Sequence, residues 1–128
     1  MNIAFASSNG ESIDQHFGYS KTFYLYEVGK EESRLLSIID SSKEPEGEKE
    51  KLNYKIGTIG EADIMYCTQI GPTASKMIQA AGVHPVRVAE GEDLQGAIVK
   101  LQEMLNEAPA PWLLRIYHKA EARNTKTI

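Results

Sequence analysis

Ala62-Asp63-Ile64-Met65-Tyr66-Cys67-Thr68-Gln69-Ile70-Gly71-Pro72-Thr73-Ala74 passes from a short apolar run into a helix start, and this junction decides the fold. Residues 62–67 read as a buried strand, and Pro72 suits the first position of a helix because its missing N–H is not needed there. The helix expected from Gly71-Pro72 carries Ala74, Met77, Ile78 and Ala81 on its buried side and stops at Gly82. Residues 83–89 form the next strand. A further helix starts near Glu92-Asp93, whose acidic side chains match its positive end, and carries Leu94, Ala97, Ile98, Leu101 and Leu105 on one face. Met77 and Met104 are expected as core positions.

Upstream, helical spacing from Lys51 places Leu52, Ile56 and Ile59 on one face, with Gly60 as a stop. Before it lie three strands: residues 1–6, then 22–28, rich in aromatic and β-branched side chains, then 34–40. The turn Gly29-Lys30-Glu31-Glu32-Ser33 makes the last two an antiparallel hairpin. Residues 41–50 read as a solvated connection. A strand, a hairpin and alternating helix and strand imply a three-layer α/β domain with a mixed five-stranded sheet flanked by helices. Its first, fourth and fifth strands run parallel through right-handed crossovers. After Asn106 comes Pro109-Ala110-Pro111-Trp112-Leu113-Leu114, so residues 1–114 are expected as one domain and 115–128 as a polar tail that frays.

Composition bounds the function. The 128 residues suit one domain, and 41% are apolar with no run near the roughly 20 needed to cross a bilayer. The net charge of −4 and scattered basic residues argue against nucleic acid as partner. The N-terminal segment lacks a secretory pattern and Cys67 is the single cysteine, so a cytoplasmic location is expected.

In open sheets of this kind ligands bind beyond the carboxyl ends of the parallel strands. That rim gathers loop 7–18, residues 68–72 and Glu90-Gly91, and therefore His16, Cys67, the helix start at Gly71-Pro72-Thr73, and Glu90. His84 enters from the opposite edge and His118 lies in the tail. His16, in Asp14-Gln15-His16-Phe17-Gly18, follows the turn formers Ser7-Ser8-Asn9-Gly10 and can ligate a metal or move a proton; a hydrogen-bonded structural histidine is the ordinary alternative. Cys67 is read as a soft metal ligand or a small core residue. Unpaired N–H groups at the helix start, from Gly71 through Thr73 and Ala74, offer an anion site or simple capping. No phosphate-loop pattern, G-x-S-x-G, C-x-x-C or H-E-x-x-H is present, so a metal cluster bound here would arrive preassembled and be held by one or two ligands.

The ordered set Ile3-Ala4-Phe5-Ala6-Ser7-Ser8, Asp14-Gln15-His16-Phe17-Gly18 with Phe23 and Tyr26-Glu27-Val28, Ile70-Gly71-Pro72, Ala81-Gly82-Val83 and Pro111-Trp112-Leu113 resembles the nitrogenase iron–molybdenum cofactor-binding family over residues 1–114. The resemblance is greatest to its small stand-alone members, since a radical S-adenosylmethionine domain needs three cysteines. It implies a ribonuclease H-like fold and a nitrogen-fixation role. The implied activity is non-enzymatic: binding and transfer of the iron–molybdenum cofactor or its iron–sulfur precursor. The family's histidine-phenylalanine-glycine motif falls on His16, Phe17 and Gly18. Implied partners are nitrogenase cofactor assembly proteins or apo-dinitrogenase, and a monomer is expected. Lys21, Lys76 and Arg87 are the nearest cations by sequence for an anionic cargo. Two rival readings are a small hydrolase using His16 with Asp14 or Glu90, and a ligand-free adaptor docking through Trp112.

Overall fold

The computed structural model describes residues 1–125. Its elements are β1 (Asn2–Ala6), β2 (Ser12–Ile13), a 3-10 turn (Phe17–Tyr19), β3 (Thr22–Val28), β4 (Ser33–Asp40), α1 (Glu48–Thr58), β5 (Ile64–Cys67), α2 (Pro72–Ala80), β6 (His84–Arg87), β7 (Glu92–Asp93), α3 (Leu94–Glu107) and α4 (Pro111–Thr125). Five strands form one mixed sheet in the order β4-β3-β1-β5-β6. β1 pairs parallel with β5, β5 parallel with β6, and the β3–β4 hairpin lies antiparallel to β1. The expected three parallel strands and antiparallel hairpin are therefore found, whereas the order of the strands across the sheet is set by the fold.

Two-residue alternation divides the central strands between two cores. Ile3, Phe5, Tyr26, Val28, Ile64 and Tyr66 point to one face, where they meet Leu94, Ala97, Ile98, Leu101 and Leu105 of α3. Ala4, Ala6, Phe23, Leu25, Met65 and Cys67 point to the other, against Ile59 beside α1 and Ala74 and Ile78 of α2. Three layers result because both faces of β1 and β5 are apolar and each must be covered.

Four local expectations are corrected. Ala81 is exposed at the end of α2 and Met77 only half-buried, because α2 leaves helical geometry after Ala80 and its buried stripe is Ala74 and Ile78. Met104 is also exposed, since the α3 stripe through Leu101 and Leu105 turns it outward. Residues 12–13 are a strand rather than part of a loop: they pair antiparallel with residues 92–93, so Asp93 both closes this ribbon and caps α3 by accepting from Gly96 N–H. The segment expected to fray from residue 115 is instead helical through Thr125, with Leu113 and Ala120 fully buried. Arg123 makes a two-pronged ion pair to Asp63 at 2.8 and 3.0 Å, and Trp112 stacks on His84 at 4.4 Å between ring centroids. Polarity hid this helix, because only one narrow stripe of it is apolar.

An unheralded feature lies in α1. Lys55 is completely buried; its Nζ donates to the carbonyls of Ser20 and Ser41 and pairs with Glu44 at 3.0 Å. These bonds tie α1 to both ends of the β3–β4 hairpin. Burial, and then the Arg115 charge, hold the His84 imidazole below its ordinary 6.5. The unfolded chain therefore takes up this proton more readily than the folded one. The contribution of neutral His84 is present above about pH 6.5 and is lost as pH falls through the lowered folded value. Melting temperature should fall on acidification from about pH 7.5 to about pH 5, and less steeply in His84→Phe, which keeps a ring against Trp112; equal slopes in scanning calorimetry would refute this assignment.

Candidate functional site

At the end of β1 the chain turns sharply. Ser7 Oγ accepts from the N–H groups of Asn9 and Gly10 and donates to Ser12 O at 2.6 Å. Gly10 has φ +77°, and the Tyr24 ring lies 2.6 Å from where a Cβ would stand, so any other residue would both strain the backbone and meet the ring. The chain then returns toward β5. Thr68 N–H donates to Gln15 O at 3.0 Å, and Phe17 N–H donates to Gln69 O at 2.9 Å. These two bonds clasp the histidine loop to the segment leading into α2.

The result is a cleft of about 530 Å3 lined by His16, Gly18, Tyr19, Glu48, Lys51, Leu52 and residues 69–74. His16, Gly18, Gly71, Thr73 and Ala74 thus converge as the sequence predicts. No side chain caps α2 at Gly71 and Pro72 has no N–H, and Thr73 and Ala74, whose N–H groups belong to the positive first turn of the helix, line the cleft. Among the described residues neither ring nitrogen of His16 has a hydrogen-bond partner; the ring stacks on Tyr19, with centroids 5.5 Å apart. A half-buried imidazole with both nitrogens unclaimed can ligate a metal or exchange a proton.

Other sequence-selected residues lie elsewhere. Phe17 is fully buried against Phe23, with centroids 5.8 Å apart, so it anchors the loop and does not line the cleft. Cys67 is likewise fully buried, in the core beneath α2, where burial pushes its thiol up to about 11 despite the nearby Arg87 charge. This placement corrects its reading as a metal ligand, because an unexposed neutral thiol is poorly suited to metal binding. Asp14 has its carboxylate engaged by Ser8 N–H and Oγ; burial raises its pKa, but those hydrogen bonds outweigh burial and set it below the ordinary value. Glu90 belongs to a connection folded toward the β2–β7 ribbon, where Gly91 N–H donates to Ile13 O. Neither acid lines the cleft with His16, so the hydrolase pairing has no geometry here. Trp112, offered as an adaptor contact, is half-buried against His84.

Lys21, Lys76 and Arg87 also fail to line the cleft, and the cation that does is Lys51, its Nζ 5.4 Å from the Tyr19 ring centroid. Glu48, Lys51 and Leu52 share one face of α1 at i, i+3 and i+4. That spacing was readable, but only the packing of α1 beside α2 shows what the face meets. A second cleft of about 540 Å3 beside the β3–β4 turn, lined by Glu27, Lys30, Arg34 and Asn106 among others, contains none of the sequence-selected groups. It has less claim as a site: its polar groups are surface ion pairs and turn atoms, whereas the His16 cleft has an unclaimed imidazole and an uncapped helix start. Among the described residues no helix is long and apolar enough to cross a membrane.

The placement of Cys67 has a direct check. At about pH 8, alkylation by iodoacetamide should be at least roughly a hundredfold slower in the native chain than in urea. Equal rates by mass spectrometry would place the thiol in the open.

The solved structure of PH0822 superposes with a TM-score of 0.65 over 88% of this chain and 99% of that one; at 18% identity this likeness shows the fold alone. The chain is 39% identical over 116 residues to protein NifX of Azotobacter vinelandii, covering 90% of this chain and 73% of that protein. It is 32% identical over 125 residues to protein NifX of Herbaspirillum seropedicae, covering 96% and 86%. The model of the family described as dinitrogenase iron-molybdenum cofactor matches residues 1–104, a span that holds the clasped histidine loop and the α2 entrance together, and the chain belongs to that family.

Proposed function

We propose that this protein is a carrier that holds the iron–molybdenum cofactor, or its iron–sulfur precursor, in the His16 cleft during cofactor biosynthesis and passes it on. The single observation that carries the reading is the convergence of an unpartnered imidazole with the uncapped start of α2 in one cleft. The family match supplies the chemical class of the cargo. His16 provides a neutral nitrogen to a metal atom of the cluster, and the N–H groups of Thr73 and Ala74 face its sulfide or carboxylate atoms. Gly18 and Gly71 present backbone rather than side chain at the rim.

Holding is non-enzymatic, and one protein ligand favours release. Each 1.4 kcal/mol of added affinity slows dissociation about tenfold when association is unchanged. The partners are cofactor assembly proteins or apo-dinitrogenase, met by a monomer in the cytoplasm. The strand order, with a hairpin beside three parallel strands, supports assigning the sheet to the ribonuclease H-like class.

Anaerobic mixing of the purified chain with isolated iron–molybdenum cofactor, followed on a native gel by metal content, tests this function. Wild type should co-migrate with the cofactor, and His16→Ala should bind at least about tenfold more weakly, as expected on loss of a metal ligand. No co-migration by wild type, or equal binding by His16→Ala, would overturn the reading.

A further inference from the structure

Beside the cleft, three side chains form a chain of charges. Glu44 takes Lys55 on one carboxylate oxygen at 3.0 Å and Lys51 on the other at 3.5 Å. Lys55 is wholly buried, while Lys51 is about a quarter exposed and reaches over the Tyr19 ring, which itself stacks on His16. The two lysines are not equivalent. Lys55 is fixed by two backbone carbonyls in addition to Glu44; Lys51 has only the longer ion pair and the ring.

We propose that Lys51 is a movable cation that selects anionic cargo for this cleft, with Glu44 as its resting partner; the inference rests on the carrier reading and names the charge class of what is carried. The Lys51 pair is half-buried and, at 3.5 Å, longer than the Lys55 pair, so Lys51 is the more easily released of the two lysines. Glu44 is not orphaned by the departure, because Lys55 continues to neutralise it. The Lys55 ammonium lowers the Glu44 carboxyl first, and the charges of Lys55 and Lys51 add to this, so Glu44 stays ionised and the exchange needs no proton. Tyr19, 69% exposed, links the two: its ring stacks on His16 and lies 5.4 Å from the Lys51 ammonium. An incoming anion thus meets the imidazole, the α2 donors and the ammonium from three elements. Glu48, in the same lining, repels an anion that does not engage these donors, so charge alone does not admit a ligand.

Two probes separate this inference from the reading on which it rests. One is isolated iron–molybdenum cofactor; the other is tetrathiomolybdate, a dianionic metal sulfide whose visible absorption reports binding. Lys51→Gln should weaken binding of either probe about tenfold at low salt and flatten the salt dependence, while Lys51→Arg restores both. Glu44→Gln should bind as tightly as wild type or tighter, since it frees Lys51. Unchanged melting of Lys51→Gln would confirm that the loss is not one of folding. Binding by Lys51→Gln equal to wild type, or weakening by Glu44→Gln as great as by Lys51→Gln, would overturn the inference. Wild type that takes tetrathiomolybdate but not the cofactor would overturn the carrier function and keep the anion selectivity; wild type that takes neither overturns both.

Discussion

Two main-chain hydrogen bonds, Thr68 N–H to Gln15 O and Phe17 N–H to Gln69 O, are the constraint on which the cleft depends. They join segments some fifty residues apart at the carboxyl ends of two paired parallel strands, β1 and β5. A backbone clasp has no side-chain freedom to lose, so it fixes the loop more tightly than contact between long side chains would. Phe17 completes it by burying its ring between the two segments and Phe23. His16 and Gly18, on either side of that anchor, are left facing the cleft. One buried aromatic and two amide bonds thereby turn a surface loop into a wall of defined position.

The opposite wall depends on a charge that is absent from any ordinary core. Lys55 replaces water for the carbonyls of Ser20 and Ser41 and neutralises Glu44, so α1 is set against the hairpin in one orientation. Removing the ammonium would leave those acceptors without a donor, and unmet buried groups cost about 1–3 kcal/mol each. The same orientation brings Lys51 and Leu52, one turn earlier in α1, to the cleft. Two lysines of different setting therefore lie four residues apart on one helix, Lys55 held by the core and Lys51 lining the cleft.

The proposed holding role suits the groups at hand. Among the described residues no carboxylate hydrogen-bonds the imidazole, and the acids nearest in sequence lie elsewhere: Asp14 on Ser8, Glu90 in the connection beside the ribbon. A catalytic base needs a partner that fixes its tautomer and accepts the developing charge. A ligand for a preformed cluster needs only an open nitrogen and room. The thiol that chemistry would choose first for iron, Cys67, is sealed beneath α2, and its core position keeps the soft ligand count low.

The sequence by itself determined the mixed five-stranded sheet with its parallel strands and antiparallel hairpin, the α3 stripe and the rim at which His16 meets Gly71, Thr73 and Ala74. These follow from period-two and period-3.6 patterns and from turn residues, which are local and strong. Tertiary structure alone decided which neighbours of His16 face the cleft. Cys67 turned inward with Met65 on the same face of β5, and Phe17 because the 3-10 turn it opens packs its ring against Phe23. Lys51, Tyr19 and Lys55 gained their roles from helix packing that no local spacing encodes. The C-terminal helix was illegible for a related reason: besides the narrow apolar stripe of Leu113 and Ala120, its hold on the sheet is an ion pair from Arg123 to Asp63 and a ring stacked on His84, partners sixty and twenty-eight residues away. Hydrophobic pattern is written along the chain, whereas polar pairing between distant elements exists only after the chain has folded.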